Sequence, residues 1–196
     1  MLDNFKSFLL EKCGVDEESY AGFEPTIIKQ DVKKGENLLK SGNICNKTFF
    51  VEKGLLRIHS LNEEGHINIL LFAPEGWIAA DRGSFLFNLP SVYFIDAIED
   101  TQVVILDNPF LDLLSEINPH FRRLNERLIQ NHVRHLNTRI TSLLGDSAES
   151  RYLKFIKLYP DILLRVPQWM VASYLGITPE SLSRVRKSLS TKNFNS

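Results

Sequence analysis

Three residues in the last fifth of the chain, Glu180, Ser183 and Arg184, have the types and the spacing to read base-pair edges. An arginine guanidinium can donate two hydrogen bonds to O6 and N7 of guanine, and a glutamate can accept from N4 of cytosine. Glu180 and Arg184 are four residues apart, so on a helix they share a face. The same spacing allows a plain surface ion pair, which in the unbound protein would pre-orient the arginine. Gln168, Thr178, Ser181 and Lys187 suit phosphate oxygens, contacts that position a protein on a duplex without specifying sequence.

Base reading needs a rigid frame, and residues 168–187, QWMVASYLGITPESLSRVRK, supply one. Two helices joined by a tight turn need apolar residues where they face each other, a small residue at the crossing and glycine at the turn. Val171, Leu175, Ile177, Leu182 and Val185 form the apolar set, Ala172 is small, and Gly176 sits at the turn. Thr178 can cap the second helix, Pro179 suits its first position, and Glu180 favours its positive dipole end. The pattern predicts a helix-turn-helix whose second helix spans 178–189. An αα-hairpin that makes only protein contacts is the alternative, and the basic run Arg184, Arg186, Lys187 argues against it.

Charge is distributed in the same sense. The chain carries a formal net charge of −1, yet residues 151–196 hold eight Lys and Arg against two acids, and residues 1–150 hold 15 against 22. One end is built to meet a polyanion.

The rest of the chain must carry and pair this reader. Its first residues form an amphipathic helix rather than a leader, because Lys6, Ser7 and Glu11 interrupt the apolar positions. Residues 26–106 read as short strands punctuated by Gly35, Gly42, Gly54, Gly65 and Gly76, with 62–65 a hairpin tip, a pattern of sandwiches and barrels. A short helix at 110–116 precedes a long one at about 119–144. Along the long helix Phe121, Leu124, Leu128, Ile129, Val133, Leu136, Ile140 and Leu143 make a seam at spacings of three and four, shifted at 128/129. That seam can dimerise as a coiled coil, pack on its own β domain, or do both at different heights. Gly145 marks the domain boundary, and Ser147 caps the next helix, expected at 148–159. No run of about 18 apolar residues predicts a membrane span. Two cysteines, Cys13 and Cys45, make neither a disulfide framework nor a four-thiolate cluster site, so a cytoplasmic location fits.

A β domain, a long helix and a helix-turn-helix, in this order, resemble the CRP/FNR family of transcription regulators. The specific part is Glu180-Ser181-Leu182-Ser183-Arg184, which looks like the E-x-x-S-R reading motif of the FNR branch. The CRP branch usually has glycine at the position of Ser183 and arginine at that of Pro179. The resemblance implies an α+β fold: a double-stranded, jelly-roll-like β-roll at 1–118, a dimerisation helix at 119–145 and a helix-turn-helix domain at 146–196. It implies a non-enzymatic homodimer on double-stranded DNA, with RNA polymerase as a further partner and Glu180, Ser183 and Arg184 reading a TTGA-like half-site. Phe121, Leu124, Leu128, Ile129, Leu136 and Ile140 are the expected dimer contacts. The alternative is a small-molecule-sensing roll whose helical tail binds protein only.

Departures from the family bear on the effector. Nucleotide-binding members supply a Gly-Glu pair for the ribose and an Arg followed by Ser or Thr for the cyclic phosphate. Aligned on Ala97, that Arg-Ser/Thr falls at Ser91-Val92, which cannot neutralise a phosphate, and Arg82 lies about nine residues early. Cyclic AMP is therefore not the expected effector, no cofactor or metal is predicted, and the effector is unknown or absent. His59 and His66, flanking the hairpin tip, read as lone surface histidines. His132 and His135, three apart, read as solvated or hydrogen-bonded rather than metal-bound. Trp77, Phe85, Phe87, Tyr93 and Phe94 read as core filling. The seven residues after Leu189 are too few for a β wing, so wing contacts to DNA are expected to be missing.

Overall fold

The first helix, α1 (Asn4–Cys13), buries Phe5, Leu9 and Cys13, one residue per turn, and ends at Gly14 in the left-handed region. Its N-terminus is capped from far along the chain: the buried Glu52 carboxylate accepts from the amides of Asn4 and Phe5 at 2.6 and 2.8 Å. A carboxylate there satisfies orphan donors and the positive helix end together. Helix α2 (Glu17–Phe23), which the sequence reading did not anticipate, is capped locally by Asp16. The computed structural model describes residues 3–117 and 119–194, without the side chains of 117, 119, 120, 122, 124, 125 and 192–194.

Eight strands follow: β1 (Ile28–Val32), β2 (Asn37–Leu39), β3 (Thr48–Lys53), β4 (Leu56–Leu61), β5 (Ile67–Ala73), β6 (Ile78–Ala79), β7 (Phe94–Ala97) and β8 (Thr101–Leu106). They form two antiparallel four-stranded sheets, ordered β1-β8-β3-β6 and β2-β7-β4-β5. Phe49, Val51, Val103 and Ile105 of the first sheet meet Leu56, Ile58, Leu71 and Ile95 of the second in the central core. The opposite face of the first sheet is also covered. There Phe50, Val104 and Leu106 pack with Phe5, Leu9, Phe110 and Leu114. Five consecutive residues of β3 are buried for that reason.

Gly54 makes the β3–β4 turn possible. Its φ is +97°, and a Cβ there would lie 2.5 Å from Thr101 Oγ1 and 2.7 Å from Thr101 Cα. The 62–65 tip is a hairpin between β4 and β5, as its glycine and asparagine signal. One correction concerns the β6–β7 segment, read from sequence without a helix. Asp81 caps a turn of helix, α3 (Arg82–Phe87), by accepting from the Ser84 amide. This helix turns Phe87 outward, 73% exposed, so Phe87 does not fill the core. Trp77 and Tyr93 do pack against the central core, partly buried.

Helices α4 (Asn108–Ile117) and α5 (Pro119–Gly145) follow, then α6 (Ala148–Leu158), α7 (Ile162–Arg165), α8 (Gln168–Leu175) and α9 (Pro179–Phe194). Ser147 caps α6 by accepting from Ser150 N. Helix α7 occupies the connector between Pro160 and Pro167. Two compact units result, Met1–Ile129 and Gln130–Ser196, and the division falls inside α5. No described helix is long and apolar enough to cross a membrane.

Candidate nucleic-acid interface

In the second unit, Phe155, Tyr159 and Tyr174 pack in tilted and edge-to-face pairs at centroid distances of 5.3 to 5.7 Å and form a small aromatic core. Val171, Ala172, Leu175 and Leu182 are at most 3% exposed, so α8 and α9 are fixed through their apolar faces. Gly176 adopts φ +63°, and its amide and that of Ile177 return to Ser173 O and Ala172 O at 3.1 Å, closing the end of α8. Thr178 caps α9, its Oγ1 accepting from Ser181 N at 3.2 Å.

With Leu182 buried and Val185 half-buried, Glu180, Ser183, Arg184 and Lys187 are left exposed. Positions 180, 183, 184 and 187 are neighbours on one helical face. The expected Glu180–Arg184 ion pair is not among those formed by the described residues. Arg184 Nη2 instead donates to Ser181 Oγ at 3.0 Å, so a neutral hydroxyl orients the guanidinium. Glu180 is held below the ordinary carboxylate range, first by its own backbone amide and then by the Thr178 hydroxyl, with Arg184 contributing least. Ser181 thus holds the cap and Arg184 together, and it is half-buried, unlike exposed Gln168 and Thr178.

Two arginines that the sequence reading passed over support this frame from behind. Arg139 Nη2 donates to Tyr174 O at 2.9 Å while its guanidinium lies 3.9 Å over the Tyr174 ring. Arg151 Nη1 donates to Leu175 O at 2.7 Å. Both carbonyls belong to the last turn of α8, where helix acceptors lack partners. Carbonyl clamps across 24 and 35 residues leave no local sequence signal.

Residues 29–116 match the model of the cyclic nucleotide-binding domain. Over 168 residues the chain is 26% identical to Electron transport regulator A of Shewanella oneidensis, covering 80% of this chain and 66% of that protein. It is 26% identical over 170 residues to the Fumarate and nitrate reduction regulatory protein of Yersinia pestis, with the same shares covered. The chain is thus similar to these regulators over 80% of its length, and its residues 29–116 have the pattern of a cyclic nucleotide-binding domain. It spans just under two thirds, 66%, of the length of these two curated relatives. The fold agrees with that of FixK2 from Bradyrhizobium japonicum, at a TM-score of 0.73 and 20% identity over 85% of this chain and 86% of that one.

At the position where the resemblance puts the phosphate cassette, the chain's own polar groups bond one another. Ser91, at the place of the expected arginine, is 2% exposed and donates to Asp81 Oδ2 at 2.7 Å. The same Ser91 Oγ accepts from Tyr93 N at 3.0 Å, and Ser84 Oγ accepts from Cys45 N at 2.8 Å. A phosphate here would meet a carboxylate instead of a cation.

The seam of the long helix divides. Phe121 is 5% exposed in the core beside Phe110 and Leu114, so it has no surface left for a second chain and is withdrawn from the expected dimer contacts. Leu128 and Ile129 are half-buried and line a small apolar cavity with Phe5 and Phe8. The Leu124 side chain lies outside the described residues. Further along, Val133, Leu136, Ile140 and Leu143 stand 40–55% exposed in the single chain.

The histidines also sort differently from expectation. His66 is exposed, beside Glu64, but His59 is buried. Its Nδ1 lies 3.0 Å from Asp96 Oδ1, it stacks on Phe94, and Arg57 Nε contacts both Asp96 oxygens at 2.9 and 3.1 Å. No group of three or more potential metal ligands occurs among the described residues.

Proposed function

We propose that this chain is a cytoplasmic, sequence-specific DNA-binding transcription regulator that acts as a homodimer and meets RNA polymerase on its target DNA. The observation that carries the reading is the face of α9. Glu180, Ser183, Arg184 and Lys187 point outward together from a helix whose other side is locked at Leu182. Arg184 and Glu180 read base edges, Ser183 completes the reading set, and Lys187, Gln168 and Thr178 take phosphates. Ser181 serves the phosphate backbone less directly, because its hydroxyl already orients Arg184. The exposed run from Leu136 to Ile140 pairs two copies, placing two reading helices about one DNA turn apart. Chemistry on a substrate forms no part of the reading.

Selection from random duplexes should return a two-fold symmetric site with TTGA-like halves, bound less tightly as salt rises. Arg184→Ala should then lose about 1–3 kcal/mol at that site and relax one base preference. Wild-type affinity in the mutant would remove Arg184 from the reading set.

Cyclic AMP is not the effector in this reading, and the support is the Asp81–Ser91 bond at the cassette position. Titration calorimetry should register no saturable cyclic AMP binding, and a micromolar site would overturn the assignment. The two cysteines of this chain cannot supply the four thiolates of an iron–sulfur cluster.

A further inference from the structure

The unit that carries the reading helix also contains a cavity of about 270 Å³ that the DNA-facing residues do not use. Leu143, Phe155 and Leu158 give it apolar walls, and His135, Arg139, Arg151 and Lys154 all line it. Two buried atoms on these side chains, His135 Nε2 and Arg151 Nε, have no hydrogen-bond partner. Buried polar atoms are nearly always bonded, so two in the lining of one cavity call for a ligand group that bonds them. Water answers poorly, because filling this volume against apolar walls leaves most waters short of partners.

The charge of the missing partner follows from what surrounds it. Two guanidiniums and one ammonium line the cavity, and the nearby acid Asp146 is already bonded by Lys154, at 2.6 Å, and by Ser142. Arg139 and Arg151 are preorganised, each fixed on a carbonyl of the last turn of α8. Burial, and then the charge of Arg139, hold His135 below its ordinary pKa, so that a neutral imidazole lies beside cations until an anion arrives. The volume lies at the small end of ligand pockets, about 300–1,000 Å³, which suits a body the size of a benzene ring.

We propose that this cavity binds a small amphipathic anion, a carboxylate on an aromatic or short aliphatic body. The cationic side chains take its charge, and Leu143, Phe155 and Leu158 take its body. Such a ligand would share the guanidiniums that secure the end of α8, next to the turn of the helix-turn-helix.

Titration calorimetry of the full chain with sodium benzoate, sodium hexanoate and inorganic phosphate tests the site. Both carboxylates should bind saturably, with a Kd on the order of 1 mM or tighter. Phosphate, lacking an apolar body, should bind at least tenfold more weakly. His135→Phe removes one orphaned nitrogen and fills space, so it should weaken carboxylate binding at least tenfold without lowering the thermal midpoint. Thr138→Phe, at an exposed position of the lining, gives the same readout should His135→Phe fail to fold. An NMR titration should show the His135 pKa rising on saturation with benzoate. No saturable heat from either carboxylate, phosphate binding as tightly as benzoate, or undiminished binding in both folded variants would each overturn the proposal.

Discussion

Asp96 shows what a single buried carboxylate does for this fold. Its side chain is 8% exposed, with Arg57 Nε bonded to it at 2.9 and 3.1 Å and His59 Nδ1 3.0 Å from its Oδ1. Burial alone would raise its pKa, but the His59 and Arg57 bonds more than offset that, and the group is held below its ordinary value. A depressed folded pKa means that the stabilisation is present at neutral pH, above the unfolded value of about 3.9, and is lost as pH falls through the folded value. Asp96→Asn should therefore destabilise the protein at pH 7 by on the order of 3 kcal/mol, by removing the carboxylate that pairs with the largely buried Arg57 guanidinium. In urea unfolding the gap from wild type should narrow below about pH 4. An equal gap at both pH values would mean that Asp96 acts through shape, not charge. Sequence could not reveal this cluster. Alternation puts Arg57 and His59 on one face of a strand, but only the β4–β7 register brings Arg57 opposite Asp96. The α9 face was legible because cap, turn glycine and apolar spacing all lie within about twenty residues of each other.

Among the elements, α5 is the one whose apolar pattern is complete in the sequence and whose partners are not. Apolar spacing marks a helix face without saying which surface covers it. The structure assigns Phe121 to its own core and leaves Leu136 and Ile140 exposed. In the proposed homodimer, Ile140→Lys should therefore give monomers in sedimentation equilibrium while moving single-chain stability by only about 0.5 kcal/mol. A variant that stays dimeric would place the interface elsewhere. Helix α3 was missed for a different reason. It is a single turn and a half held by the Asp81 cap and by Ser84 and Ser91 hydroxyls, with no apolar period to announce it. The cap of α1 was invisible too, since its donors and Glu52 are 47 and 48 residues apart.

At the scale of the whole molecule, the order of elements was readable and so was the division of charge. The basic excess lies in residues 151–196, and the acidic excess in the stretch before them. The boundary was read at Gly145, where the helix ends, whereas the compact units divide at Ile129/Gln130. Sequence marks where a helix stops; compactness follows what each half of that helix touches. The first half of α5 packs with the core of the β unit, and the second half lines the cavity beside α6 and α8.

The two thiols carry a consequence of their own. Cys13 lies in the outer helical layer and Cys45 in the core between the sheets. Burial pushes the Cys13 pKa up to about 12 and raises that of Cys45. At pH 7 only about one Cys13 in 10⁵ is then the reactive thiolate, so alkylation waits for an opening event. Iodoacetamide thus becomes a stopwatch with two hands, one for detachment of the N-terminal helix and one for parting of the sheets. Mass spectrometry should find Cys13 modified first. Identical rates would show that the whole unit opens as a single cooperative body.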